Sequence, residues 1–211
     1  MAFNPYFLQA GVAQAQAAGL SNTVIAAFLL LPLAAAIISA ARYLIGLRGL
    51  GLFTPMMFSV VFLLVGLTSG LALFFLIVGA ATLARLLLHR LKIHYLARMA
   101  LVIWFVAFVA FLLAAVFNFK FLPLMILVLL SENLVEVQIS QSSRRAFRLT
   151  LETLLLALTC FGLFSWSLFH RLALQEPELL LAATLVLNLF IGRFAGLRLF
   201  EYHRFRRLLK T

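Results

Sequence analysis

The stretch SENLVEVQ, residues 131–138, sets Glu132 and Glu136 one helical turn apart, with Asn133 and Gln138 beside them. Two carboxylates at that spacing share a helix face. They can hold a cation, pass a proton or fasten a neighbouring basic helix. The chemistry is notable because the surrounding run is apolar, and a charge at mid-membrane costs roughly 2.5–3.5 kcal/mol on insertion scales. Glu152, Arg85 and Arg193 also fall at or inside the ends of apolar runs. The simplest expectation is a polar layer in which Glu132 and Glu136 pair with Arg85 or Arg193. Such a layer is read either as structural glue between helices or as a binding or proton-handling site. Arg42 is its weakest member, since an arginine near a helix end can snorkel to the interface unaided.

Other chemistry finds little support. The sequence contains no aspartate, which excludes aspartyl intramembrane proteolysis, and the single Cys160 allows neither a disulfide framework nor a CxxC metal site. His89 and His94 lie in a basic stretch without an acid nearby, a poor metal site. No glycine-rich phosphate loop follows a strand. The expectation is therefore a non-enzymatic chain with no catalytic residue, metal or cofactor. An intramembrane enzyme using Glu132 would lack both a nucleophile and a metal cluster.

The elements that must position these residues follow from composition. The 211 residues are 65% hydrophobic and 11% charged, whereas a soluble domain is roughly a quarter charged. Uninterrupted apolarity defines seven segments, near 23–46, 50–66, 70–88, 97–117, 121–139, 149–169 and 178–200, each the length of a membrane helix. The second is short and the fifth turns polar at its end. A transmembrane barrel would need alternating segments of about ten residues, which are absent. The fold class expected is all-α, a polytopic membrane protein of seven transmembrane helices. Residues 1–22 would form a short extracytoplasmic tail, 23–200 the seven-helix domain and 201–211 a basic cytoplasmic tail. Residues 1–20 carry no charge, which argues against a cleaved leader and for a tail or an interfacial stretch.

Net charge of +11 reads as topology and not as nucleic-acid binding, because the basic residues lie between apolar segments. With the N-terminus outside and seven crossings, fifteen of the 17 lysines and arginines fall inside, leaving Lys120 and Arg171 outside. The expected location is the bacterial cytoplasmic membrane, N-terminus out and C-terminus in. On that path Phe53-x-Pro55-x-Met57 and Phe121-x-Pro123-x-Met125 run in opposite directions. Segments two to four and five to seven would then form an inverted 3+3 repeat, with segment one as an extra N-terminal helix. Alternatively, Pro55 and Pro123 are simply first-turn prolines, where a missing N–H costs little. Pro32, in mid-segment, should kink its helix.

Three stretches carry a resemblance. LPLAAAIISAARYLIGLRGLGLFTPMMFSVVFL (31–63), FLPLMILVLLSENLVEVQISQSSRRAFRLTLETLLLA (121–157) and EPELLLAATLVLNLFIGRFAGLRLFEYHRFR (176–206) resemble, in order, the entry, middle and end of a bacterial seven-transmembrane domain. That domain is usually fused to an inactive transglutaminase-like domain, and Glu132 matches the acidic residue of its middle block. More distantly, the glycine-rich, proline-containing entry is similar to the membrane subunit of poly-gamma-glutamate capsule synthases. The resemblance implies company with ATP-grasp amino-acid ligases in systems that attach or handle glutamate-type peptides. About twenty residues precede segment one, so a transglutaminase-like partner would act in trans on the extracytoplasmic side, or the protein would do a reduced job.

Two functions follow as expectations. One is a scaffold or conduit, docking a cytoplasmic ATP-grasp-type ligase through the basic stretches 89–98, 141–148 and 198–210. The other is a small secondary transporter or exporter with an intramembrane glutamate site. The lipid bilayer is a partner in both.

Overall fold

A computed structural model describes residues 7–88, 94–117 and 121–193. The 89–93 stretch with His89, Lys120 and the basic tail lie outside the described residues. The described chain is helical: α1 (Phe7–Ala17), α2 (Asn22–Ala40, continued by a π-turn at Ala41–Ile45), α3 (Phe53–Val65), α4 (Leu67–Leu88), α5 (Tyr95–Phe117), α6 (Phe121–Ser140), α7 (Ser143–Ser165), α8 (Ser167–Gln175) and α9 (Pro177–Gly192). It is an all-α polytopic membrane protein. Five helices are long and apolar enough to cross on their own, and α8 with α9 makes a sixth, bent pair. The seven apolar segments correspond to α2 to α7 and α9. α3, at 13 residues, reaches only about 20 Å of a hydrocarbon core of about 30 Å. The remainder of that segment is irregular backbone.

Contacts divide the chain into two units, Met1–Arg48 with Leu155–Thr211, and Gly49–Leu154. In the first unit α2 packs on α8 and α9, and α1 rests on all three. Small side chains permit the close approach: Ala26, Ala34 and Ala36 of α2 and Ala173 of α8 are completely buried. α2 continues as a helix through Pro32 and ends in the wide π-turn. There Gly46, at φ 98°, closes the helix with its N–H and that of Leu47 both on the carbonyl of Ala41. That left-handed cap is a position only glycine takes without strain.

The bend between α8 and α9 is 112°, placed where Pro177 opens α9 in its first turn. α8, SLFHRLALQ, is amphipathic, unlike the apolar α9 from which it bends away. Sequence apolarity reads this region as a plain connection. The uncharged N-terminal stretch likewise becomes a helix, α1, anchored at the same bend. Glu178 Oε1 accepts the N–H groups of Leu8 and Gln9 at 2.9 and 3.0 Å, and Gln9 Nε2 donates to the carbonyl of Gln175 at 2.7 Å. A carboxylate from another helix thus caps α1. Glu178→Ala should release α1, with hydrogen exchange of the α1 amides rising about fivefold or more, the weight of a lost cap. Unchanged α1 protection would contradict this reading.

In the second unit α6 packs on α3, α4 and α5, and α4 packs on α3 and α5. Phe58, Phe62 and Phe74 are buried to within 1% at its centre, with Phe58 and Phe74 edge to face at 4.8 Å between ring centroids. α3 turns into α4 at Gly66, φ 92°. Gly70 lies inside α4, hard against Phe62.

Candidate functional site

Both Phe-x-Pro-x-Met stretches open a helix at the same register. Phe53 and Phe121 are first residues of α3 and α6, and Pro55 and Pro123 stand buried two positions on. These are first-turn prolines, and they break no helix. The real interruption lies before α3, where the chain runs irregularly from Gly46 to Leu52 with Gly49 at φ 46° and Gly51 at φ 56°. Backbone without helical hydrogen bonds needs other partners inside a membrane protein. α7 supplies them. Glu152 Oε2 accepts the N–H of Gly49 at 3.2 Å, and Thr153 Oγ1 accepts that of Leu50 at 2.7 Å. Thr153 is completely buried and passes its own proton to the carbonyl of Leu149 at 2.7 Å.

α6 holds the other side. Asn133 Nδ2 donates to Thr54 Oγ1 at 3.0 Å, tying the middle of α6 to the first turn of α3. Gln138 Nε2 donates to Thr82 Oγ1 at 3.0 Å, and Thr82 donates to the carbonyl of Val78 at 2.7 Å. Arg85 Nη1 donates to the backbone carbonyl of Gln138. The expected pairing of Arg85 with Glu132 or Glu136 therefore does not form: its guanidinium is spent on the end of α6, where the last carbonyls of a helix lack intrahelical donors. Arg193 belongs to the first unit, as the exposed C-cap of α9.

Glu132 and Glu136 instead share the exposed stripe of α6 with Leu122, Met125 and Leu129, spaced three and four residues apart. Between that stripe and the irregular entry lies a cavity of about 370 Å³, lined by residues 49–54, Asn133, Glu136, Val137 and Leu149. No side chain caps the start of α3, and the residues that open it, Leu52, Phe53 and Thr54, line this cavity together with Glu136. Of the sequence candidates, then, Asn133, Glu136, Phe53 and, through its bond to Gly49, Glu152 converge here. Glu132 is one turn away, and Met57 and Met125 lie elsewhere. Sequence reading overlooks Thr54, Thr82 and Thr153, hydroxyls indistinguishable by type from those that merely bond their own helix. The one available signal is that Thr54 and Thr153 each adjoin a residue already singled out.

The chain matches, over residues 18–209, the model of a family described as seven transmembrane helices usually fused to an inactive transglutaminase. It belongs to that family. No curated protein and no solved structure matches it. For this member of the seven-helix transglutaminase-associated family, the match covers every crossing helix, the irregular entry and the cavity beside it. Among the described residues no group of His, Cys, Asp or Glu is arranged to hold a metal ion.

Proposed function

We propose that the protein is a non-enzymatic integral membrane subunit, a scaffold or conduit, of a bacterial system that ligates, attaches or exports glutamate-type peptides. The observation that carries this is the usual fusion of its family to an inactive transglutaminase. A domain inactive as a transglutaminase leaves binding or placement as its role, and a membrane domain joined to it would serve placement or passage. Docking of an ATP-grasp-type ligase is supported by the start of α7, where Arg144, Arg145, Phe147 and Arg148 are all exposed. A transglutaminase-like domain would engage the opposite side. Purification in mild detergent should return the chain with a ligase or transglutaminase-like partner; elution alone overturns the scaffold.

On the positive-inside rule the protein sits in the cytoplasmic membrane, N-terminus out and C-terminus in. A cysteine placed by Ser142→Cys, in a background where Cys160 is buried, should resist an impermeant maleimide in intact cells and react after lysis. Labelling of intact cells would reverse the orientation.

A specific observation favours the second reading, a small transporter or exporter: an interrupted entry to a short helix, facing a carboxylate across a cavity, is how many transporters build a central site. On this reading the 3+3 arrangement would supply alternating access. Glu136→Gln should then abolish flux into proteoliposomes while the protein still folds. Normal flux excludes Glu136 from the path.

A further inference from the structure

We propose that the exposed stripe of α6 seats a crossing helix from another polypeptide, one that carries a lysine or arginine at mid-span. The proposal rests on the subunit reading and names the partner's chemistry inside the membrane. Leu122, Met125, Leu129, Glu132 and Glu136 are all exposed. Their spacing of three, four, three and four residues is that of a seam between helices, and it runs about 21 Å along α6. Glu132 stands 11 residues beyond Phe121, the first residue of α6. That is about 17 Å along the helix, halfway through a hydrocarbon core of about 30 Å. Neither carboxylate has a hydrogen-bond or ionic partner among the described residues. Glu136 opens onto the cavity at the entry, but Glu132 lies outside that cavity's lining. A carboxylate on a crossing helix that faces neither a cavity nor its own bundle calls for a cation from outside the chain.

The seam is also shaped for a helix. At Met125 it continues into an apolar groove of about 230 Å³ between α5 and α6, lined by Ala107, Ala110 and Ala114 on one side and Phe121 and Met125 on the other. Small side chains at such a groove let a neighbouring backbone come close. A lipid tail would fill the groove yet bring no charge to Glu132. A second copy of this chain fits no better. Twofold pairing of this face sets the two acidic stripes against each other, and no lysine or arginine stands in the middle third of a described helix that crosses on its own. Arg85 is already spent on the carbonyl of Gln138. The occupant is therefore a different chain, with its cation opposite Glu132 and Glu136 one turn further on as a second acceptor.

The test places the full chain in lipid vesicles, dye-labelled at Ser142→Cys, Cys160 being buried. The probes are synthetic crossing peptides of about 20 leucine and alanine residues, with arginine, leucine or glutamate at the centre. Energy transfer between chain and peptide reads association. The arginine peptide should associate about tenfold or more tightly than the leucine peptide, because pairing relieves two bare charges at once, and the glutamate peptide should associate least. Glu132→Gln combined with Glu136→Gln, checked for folding by size-exclusion chromatography, should erase the preference for arginine. The peptide series on the unaltered chain decides the matter even if the double variant fails to fold. Equal association of the arginine and leucine peptides overturns the proposal. In cells, a photocrosslinking residue in place of Leu129 should join a crossing segment of another protein, identified by mass spectrometry, with a lysine or arginine near its centre; adducts with lipid alone, or with a second copy of this chain, overturn it. A ligase that co-purifies without any arginine preference keeps the scaffold and removes this face; arginine preference in a chain that elutes alone upholds the face and removes the scaffold.

Discussion

Thr153→Val should lower stability by about 2–3 kcal/mol, the upper part of the range for a buried donor left without an acceptor. Valine keeps the shape of threonine, so packing changes little and the lost hydroxyl carries the effect. That hydroxyl accepts the N–H of Leu50 at 2.7 Å, across 103 residues of chain. Thr153 is 0% and Leu50 4% exposed, which leaves water no route to replace the bond. The carbonyl of Leu149 loses one donor but keeps its place in the helical ladder. Thr153→Ser retains the oxygen and should recover most of the stability. Thr159 makes the same local bond, to the carbonyl of Leu155 at 2.9 Å, on an exposed part of α7, and Thr159→Val should change stability by less than about 0.5 kcal/mol. Thermal unfolding of the three variants in detergent checks the order. A Thr153→Val protein as stable as the parent would mean that α7 does not hold the entry.

The contact between α3 and α4 should be comparably unforgiving. A Cβ added at Gly70 would stand 2.6 Å from Cδ1 and 3.2 Å from Cα of Phe62, and Phe62 is 0% exposed. The ring cannot swing away and the backbone cannot yield without parting the helices. Gly70→Ala should cost about 1–3 kcal/mol, the usual range for overpacking, and Gly70→Leu should prevent accumulation of folded protein. The comparison is Gly79→Ala in the same helix, where a Cβ meets nothing within 4 Å. There alanine should be neutral or stabilising, since it favours helix over glycine by about 1 kcal/mol. Combining Gly70→Ala with Phe62→Leu should cost less than the sum of the two, with a coupling of about 1 kcal/mol. Strict additivity would show that the clash is not where the glycine's neighbours place it.

Both experiments bear on the candidate site. Thr153 holds one end of the irregular entry, and Gly70 seats α3, whose first turn closes the cavity.

Apolarity by itself determined the class and the placement of the helices, because transfer into hydrocarbon is summed locally along the chain. Segments read at 70–88, 97–117 and 121–139 differ by three residues or fewer from α4, α5 and α6. The register of Pro55 and Pro123 was legible for the same reason: a proline's tolerance depends only on its place in its own helix. Glycines at 46, 49 and 51 announced an irregular entry but not what would hold it.

Only the tertiary structure decided the partners. Arg85 could equally have met Glu132 or Glu136, and the sequence contains nothing to rank these against the carbonyl of Gln138 that it binds. A local pattern does not say which helices become neighbours. The same holds for Glu178, which caps a helix 170 residues earlier in the chain, and for the bend of 112° before α9. Hydrogen bonds inside a bilayer are compulsory because no water competes for them, yet which acceptor serves which donor depends on how the helices pack.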